Sequence, residues 1–269
     1  MPLLQATSPT GLSTAAFGSV ASAASLGCRL SFPTICTQRG EVLHNHSHAG
    51  VLREGSLLLL DAGCELPSLY CSDNTRTWPV GGKFRGAQHE IYSAVYSAFS
   101  EALKLMRPGI PFRDIHLSAA RVLASGLKAA GLMKGDPAEA AAAGAHALFF
   151  PHGLGHMLGL DAHDMEALGQ RRVGFSRAFP PSRQFGLSAL RLGKKLREGF
   201  VVTCEPGCYF IKPLMEKWKA EGLHRDFINY GRLEAFKGFG GIRIEDTVLI
   251  TAGGSRRLGP GIPASPSEI

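Results

Sequence analysis

The 269-residue chain has no aspartate or glutamate before Glu41, and Arg29 is the sole basic residue among the first 38. Ser13 to Ser25 (STAAFGSVASAAS) is rich in serine and alanine instead. A transit peptide is Ser-rich and acid-poor in this way, but it is usually rich in arginine, and the lack of arginine favours an ordinary helix. Residues 1–26 are therefore set apart, as a helical or transit-like segment, from residues 27–269. No apolar run approaches the roughly 20 residues of a membrane-spanning helix, which argues against a membrane partner. Aromatic interleaving of basic residues and nucleic-acid motifs are lacking too, so a net charge of +7 points to solubility and to no nucleic-acid partner. The six cysteines, at positions 28, 36, 64, 71, 204 and 208, have neither zinc-finger spacing nor the density of a disulfide scaffold. They read as reduced thiols and go with a cytoplasmic location, organellar import remaining open.

With 45% hydrophobic residues the chain can bury a large core, as one big domain or two fused halves. Its centre of gravity is Leu57 to Gly82, where four leucines run into Asp61-Ala62-Gly63 and read as a buried strand ending in a turn. Leu69-Tyr70-Cys71-Ser72 has strand-like composition and brings up Asp73, so a hairpin would set the two carboxylates side by side. A lone desolvated carboxylate is costly, and two adjacent ones repel unless a proton or a metal lies between them. Two ordinary turn aspartates are the alternative. Val42 to His48 places His44, His46 and His48 at alternate positions, on one face of a strand lining a cleft or binding metal, or else in a polar surface loop.

Gln88 to Met106, Phe112 to Leu132 and Pro137 to His146 read as helices, the first ended by Arg107-Pro108-Gly109. Helices after a hairpin point to an α+β fold with helices on one face of a mainly antiparallel sheet. Phe149 to Asp164 (FFPHGLGHMLGLDAHD) interleaves His152, His156 and His163 with Gly153, Gly155 and Gly159, a pattern that packing alone does not account for. Residues 165–200 are basic and loop-like. Val201 to Cys204 then leads into Glu205-Pro206-Gly207, and Gly241 to Asp246 places Arg243 and Glu245 on one face of a strand. Hard oxygen ligands with an imidazole suit a pair of divalent ions.

The segments LLDAG, SDNTRTWP, PHGLGHMLGLDAHD, TCEPGCYF and GFGGIRIEDTVLI, in that order, closely resemble the pita-bread metallopeptidases, specifically the prolidase and aminopeptidase P branch. The resemblance runs from about Gly27 to the C-terminus. It implies a pita-bread fold, a curved mainly antiparallel sheet with helices on its outer face. By position it implies Asp61, Asp73, His156, Glu205 and Glu245 as ligands of two divalent ions, manganese first, with cobalt or zinc as alternatives. It also implies that Glu205 helps take a proton from the attacking water while His152 and His163 steady the intermediate. His44, with His46 as its rival, Arg191 and Arg243 are implied on the substrate side, Arg191 holding the substrate's carboxylate. The activity implied is hydrolysis of peptides with proline second, by a Xaa-Pro dipeptidase (prolidase) or, alternatively, a Xaa-Pro aminopeptidase. The length of Ile211 to Gly238 favours the dipeptidase. An inactive pita-bread binding module is the alternative of another class, opposed by the presence of all five ligands. A homodimer is compatible with the resemblance. Members of this branch carry an N-terminal domain and one more long helix, so the expectation is an N-terminally truncated catalytic domain over 27–269.

Overall fold

The structure, a computed structural model, describes residues 11–269; the first ten residues of the N-terminal segment lie outside them. The chain opens with helix α1 (Leu12–Ser25) and strands β1 (Arg29–Leu30), β2 (Ile35–Thr37), β3 (Leu57–Ala62), β4 (Cys64–Glu65) and β5 (Asn74–Pro79). Helices α2 (Gln88–Leu105), α3 (Phe112–Ala129), α4 (Pro137–Ala143) and α5 (Gln170–Gly174) follow. The last third holds β6 (Val201–Cys204), β7 (Gly207–Tyr209), α6 (Lys212–Glu221), α7 (Tyr230–Leu233), β8 (Gly241–Arg243), β9 (Asp246–Thr251) and β10 (Gly254–Arg257). All named strands pair antiparallel, as β2-β3-β5, β10-β9-β6, β7-β8 and β1-β4. The α+β expectation is met.

The helices form because their apolar residues recur at helical spacing. In α2 the buried Ile91, Val95, Ala98 and Ala102 make one stripe, which meets Ile115, Ala119, Leu123 and Leu127 of α3. Gly126 allows the approach: a Cβ there would stand 2.5 Å from that of Ala94. Pro137 to His146 is not one helix. Asp136 caps α4 by accepting the Ala138 and Glu139 N–H groups at 2.8 and 2.9 Å. Gly144, at φ 87°, then ends it and starts a 3-10 turn, Ala145–Leu148.

The hairpin of β3 and β5 positions the site. Asp61 pairs with Thr75 and Ala62 with Asn74. The strand expected over Leu69 to Ser72 is absent: Leu69 and Tyr70 are exposed, Leu69 has φ 69°, and Cys71 alone bridges to Glu65. No layer covers those side chains, so their apolar character buys no burial there, and the strand starts after Asp73 rather than ending at it. At Gly63 a Cβ would lie 1.8 Å from the Ser72 carbonyl oxygen, so only glycine lets the chain return this tightly. The alternate histidines do not lie on a strand either. Asn45 Nδ2 donates to Thr37 Oγ1 and the Ser47 N–H to Asn45 Oδ1, local bonds that replace a ladder. Finally, the strand expected to carry both Arg243 and Glu245 breaks between β8 and β9, although the two side chains still face each other at 4.0 Å.

A metal-ligand cluster at the base of the candidate active site

Backbone pairing brings the two ends of the sequence together. The Glu245 N–H donates to the Thr75 carbonyl at 2.9 Å, and the Thr75 hydroxyl donates to Glu245 Oε2 at 2.6 Å. Thr247 Oγ1 donates to the Asp73 carbonyl at 2.9 Å. Beside β6, the Gly-rich segment runs extended: the Thr203 N–H donates to the His156 carbonyl at 3.0 Å and the Glu205 N–H to that of Leu154 at 2.8 Å. A Cβ at Gly155 would stand 2.2 Å from the Thr203 oxygen, which explains a glycine between two histidine-bearing positions.

These pairings set five side chains against one cavity of about 790 Å³, lined by Asp61, Asp73, His156, Glu205 and Glu245 together with His44, His152, His163, Arg191 and Arg243. His156 Nε2 is 3.5 Å from Asp73 Oδ2 and 3.6 Å from Glu205 Oε1. Ligand atoms of Asp73, His156 and Glu245 lie within 4.8 Å of one another. His156 Nδ1 lies 3.0 Å from the Met157 carbonyl, which can only accept, so Nδ1 carries the proton and Nε2 is left as a ligand atom.

The electrostatics call for a cation. Burial, then the neighbouring charge of Asp61, pushes Asp73 up to about 6, against the opposing pull of His156 and Arg243. Burial also raises Glu205, and it raises Glu245 well above the carboxylate range, with Asp73, Glu205 and Asp61 adding to it. Burial alone would lower His156, but Asp73 and Glu205 outweigh it and raise the imidazole. Asp61 Oδ1 is buried with no hydrogen-bond partner among the described residues. Carboxylates this crowded, one with a free buried oxygen, fit divalent ions.

His152 is locked. Its Nδ1 lies 2.8 Å from the Gly153 carbonyl, which can only accept, so Nε2, 2.8 Å from the Tyr209 hydroxyl, is the acceptor of that bond. Burial pushes it down to about 3, so the ring is neutral. Tyr209 in turn accepts from Arg243 Nη1 at 3.0 Å, and Arg243 Nη2 donates to Asp61 Oδ2 at 2.6 Å. Arg243 thus sits in the network under the ligands as well as on the cavity wall. His163 packs against His156, ring centres 4.4 Å apart, and is held down to about 3 by burial and then by His156. His44 and its rival His46 both line the cavity, whereas His48 turns to the Thr34 carbonyl at 2.9 Å. Arg191 lines it too, with Nη1 bonded to Glu166. Sequence reasoning missed Tyr209, Thr75, Thr203 and Glu166. The first three stand inside quoted motifs. Glu166 is one of only two carboxylates in the basic stretch 165–200, the other being Glu198.

Residues 11–252 match the model of metallopeptidase family M24. The chain belongs to this family. It is 36% identical over 248 residues to the Xaa-Pro dipeptidase of Homo sapiens, covering 89% of this chain and 48% of that one. To the Xaa-Pro aminopeptidase of Escherichia coli K12 it is 38% identical over 232 residues, covering 86% and 44%. The fold matches the structure of aminopeptidase P from E. coli with the inhibitor Pro-Leu, TM-score 0.76 at 31% identity, over 99% of this chain and 53% of that one. The α+β pita-bread architecture is therefore the fold of this M24 chain. The chain spans about half the length of the curated relatives it matches.

Proposed function

We propose that this M24 chain is a metal-dependent peptidase hydrolysing the Xaa–Pro bond, with two divalent ions, manganese first, held by Asp61, Asp73, His156, Glu205 and Glu245. The carrying observation is the convergence of those five side chains, from four separate stretches, on a cavity that also presents two neutral histidines. When bound, such ions supply a nucleophilic water at neutral pH and polarise the carbonyl. The chain's own residues do the rest. Glu205, whose carboxyl burial raises, is the proton acceptor for the attacking water. His152, fixed by Gly153 and Tyr209, and His163 face the same space as neutral rings able to hydrogen-bond the substrate as its carbonyl carbon becomes tetrahedral. An Xaa–Pro bond has no N–H, so the proline is read by shape, for which Phe32, Pro33, Ile35 and Leu43 supply an apolar wall. A cytoplasmic location and a homodimer belong to the same reading. Release of glycine and Pro-Ala from Gly-Pro-Ala by the manganese-loaded protein, abolished by chelation and by His156→Ala, is the expected result. Equal rates with and without chelator would overturn it.

A further inference from the structure

We propose that Glu166 sets the length of substrate this site accepts, by occupying Arg191 and so favouring peptides that continue beyond proline over dipeptides that end there. The inference rests on the Xaa–Pro reading above and deepens it.

Arg191 is the cation through which a terminal carboxylate could be held, since a guanidinium offers two parallel donors to such a group. In this fold it already holds a carboxylate of the chain itself. Its Nη1 donates to Glu166 Oε2, both side chains line the cavity, and the Glu166 side chain is only 17% exposed against 36% for Arg191. The contact is placed, not incidental. Glu166 opens a 3-10 turn, Glu166–Leu168, directly after Met165, which takes the left-handed conformation at φ 59° that side-chain-bearing residues seldom adopt. On the near side the turn is anchored by Asp164, whose N–H donates to the Met157 carbonyl at 3.1 Å and whose Oδ1 accepts the Leu160 N–H at 3.1 Å.

The pair stands beside the chemistry. Glu166 Oε2 is 4.0 Å from His163 Nδ1, and the His163 ring packs on that of His156. A dipeptide seated with its carboxylate at Arg191 would bring a second negative charge against Glu166 and compete with it for the guanidinium, whose Nη1 it already holds. Like charges set together in this way act as a rejection device. A peptide that continues past proline, or ends in an amide, brings no charge there, and its next N–H is a donor that the Glu166 carboxylate can accept.

Glycyl-proline and glycyl-prolinamide differ at that one group, so the ratio of their kcat/KM values reads it directly. The manganese-loaded parent is expected to prefer the amide. Glu166→Gln, which keeps the shape and removes the charge, is expected to move the ratio toward the dipeptide by about tenfold or more, the weight of a charge-assisted hydrogen bond. Most of this change is expected in KM. Adding Arg191→Gln to that variant should cancel the gain. A parent that prefers the dipeptide overturns the proposal whatever the variants do, and so does a ratio unmoved by Glu166→Gln. Turnover of neither substrate by the parent overturns the Xaa–Pro reading, and this inference with it.

Discussion

Arg243 Nη2 donates to Asp61 Oδ2 at 2.6 Å, joining residues 182 positions apart. The guanidinium is almost wholly buried and also serves the Thr75 hydroxyl at 3.0 Å and the Tyr209 hydroxyl at 3.0 Å. It is a buried permanent cation among the site's carboxylates. Removing it leaves the buried Asp61 carboxyl without its ion-pair partner. Arg243→Leu is expected to destabilise the chelated protein by about 3–5 kcal/mol in urea unfolding, the cost of breaking a buried pair from one side. Arg243→Lys keeps the charge without the fork and should fall between.

Tyr209→Phe removes one oxygen atom from the chain of bonds that runs from His152 to Arg243. His152 then loses the donor that orients its ring. The expected result is a fall in kcat of about ten- to a hundredfold, equivalent to about 1–3 kcal/mol for a buried group left unsatisfied, with an unchanged far-ultraviolet spectrum. Steady-state kinetics alongside circular dichroism checks both parts.

Metal removal should reverse the sign of a mutation. With ions bound, Asp73→Asn costs a ligand and lowers the melting temperature. In chelator the same change removes one of several carboxylates that oppose each other, so the variant should be at least as stable as the parent. Melting curves of both proteins with manganese and with EDTA decide it. Parent protein that gains no stability from manganese, cobalt or zinc would count against the whole cluster.

A second pair of histidines gives a pH dependence. His116 of α3 and His146 stand with ring centres 5.7 Å apart beside Phe150, and none of their four ring nitrogens has a hydrogen-bond partner among the described residues. Burial holds His116 well below the ordinary histidine range and His146 down to about 4. As pH falls below about 6.5 the unfolded chain binds protons that the folded one refuses, so stability falls with pH. For His146 the loss runs from about 6.5 to about 4, at up to roughly 1.4 kcal/mol per pH unit. Urea midpoints at pH 7 and pH 5 should therefore differ less in His146→Leu than in the parent.

The candidate ligand residues stood out because each sits in a short motif where a carboxylate or imidazole ends or interrupts an apolar run, and the structure brings all five to one cavity. The helices from Gln88 and from Phe112 were legible from their period. What could not be read was anything fixed by distant pairing. Thr75 looks like one more strand threonine until β5 lies against Glu245, and Tyr209 looks like a core aromatic until Arg243 reaches it. Leu69-Tyr70 misled because apolar composition says nothing of whether another layer arrives to cover it. Glu166 vanished into a basic stretch that read as solvated surface, although its partner Arg191 was singled out. That partnership also bears on the expectation of a dipeptidase, since the residue taken to hold a terminal carboxylate already holds one.

The pairing of Thr75 with Glu245 bears on how the molecule comes into being. Contacts this distant in sequence form late and slowly, because a long loop must close before they return any energy. While the chain is being made, β3 with its four leucines emerges long before β8 and β9, so the hairpin carrying Asp61 and Asp73 waits without its partners. Neither half of the polypeptide can gather the full ligand set alone. On the proposed function, metal uptake would report completed folding, and an ion, once captured, would tie the earliest strands to the latest.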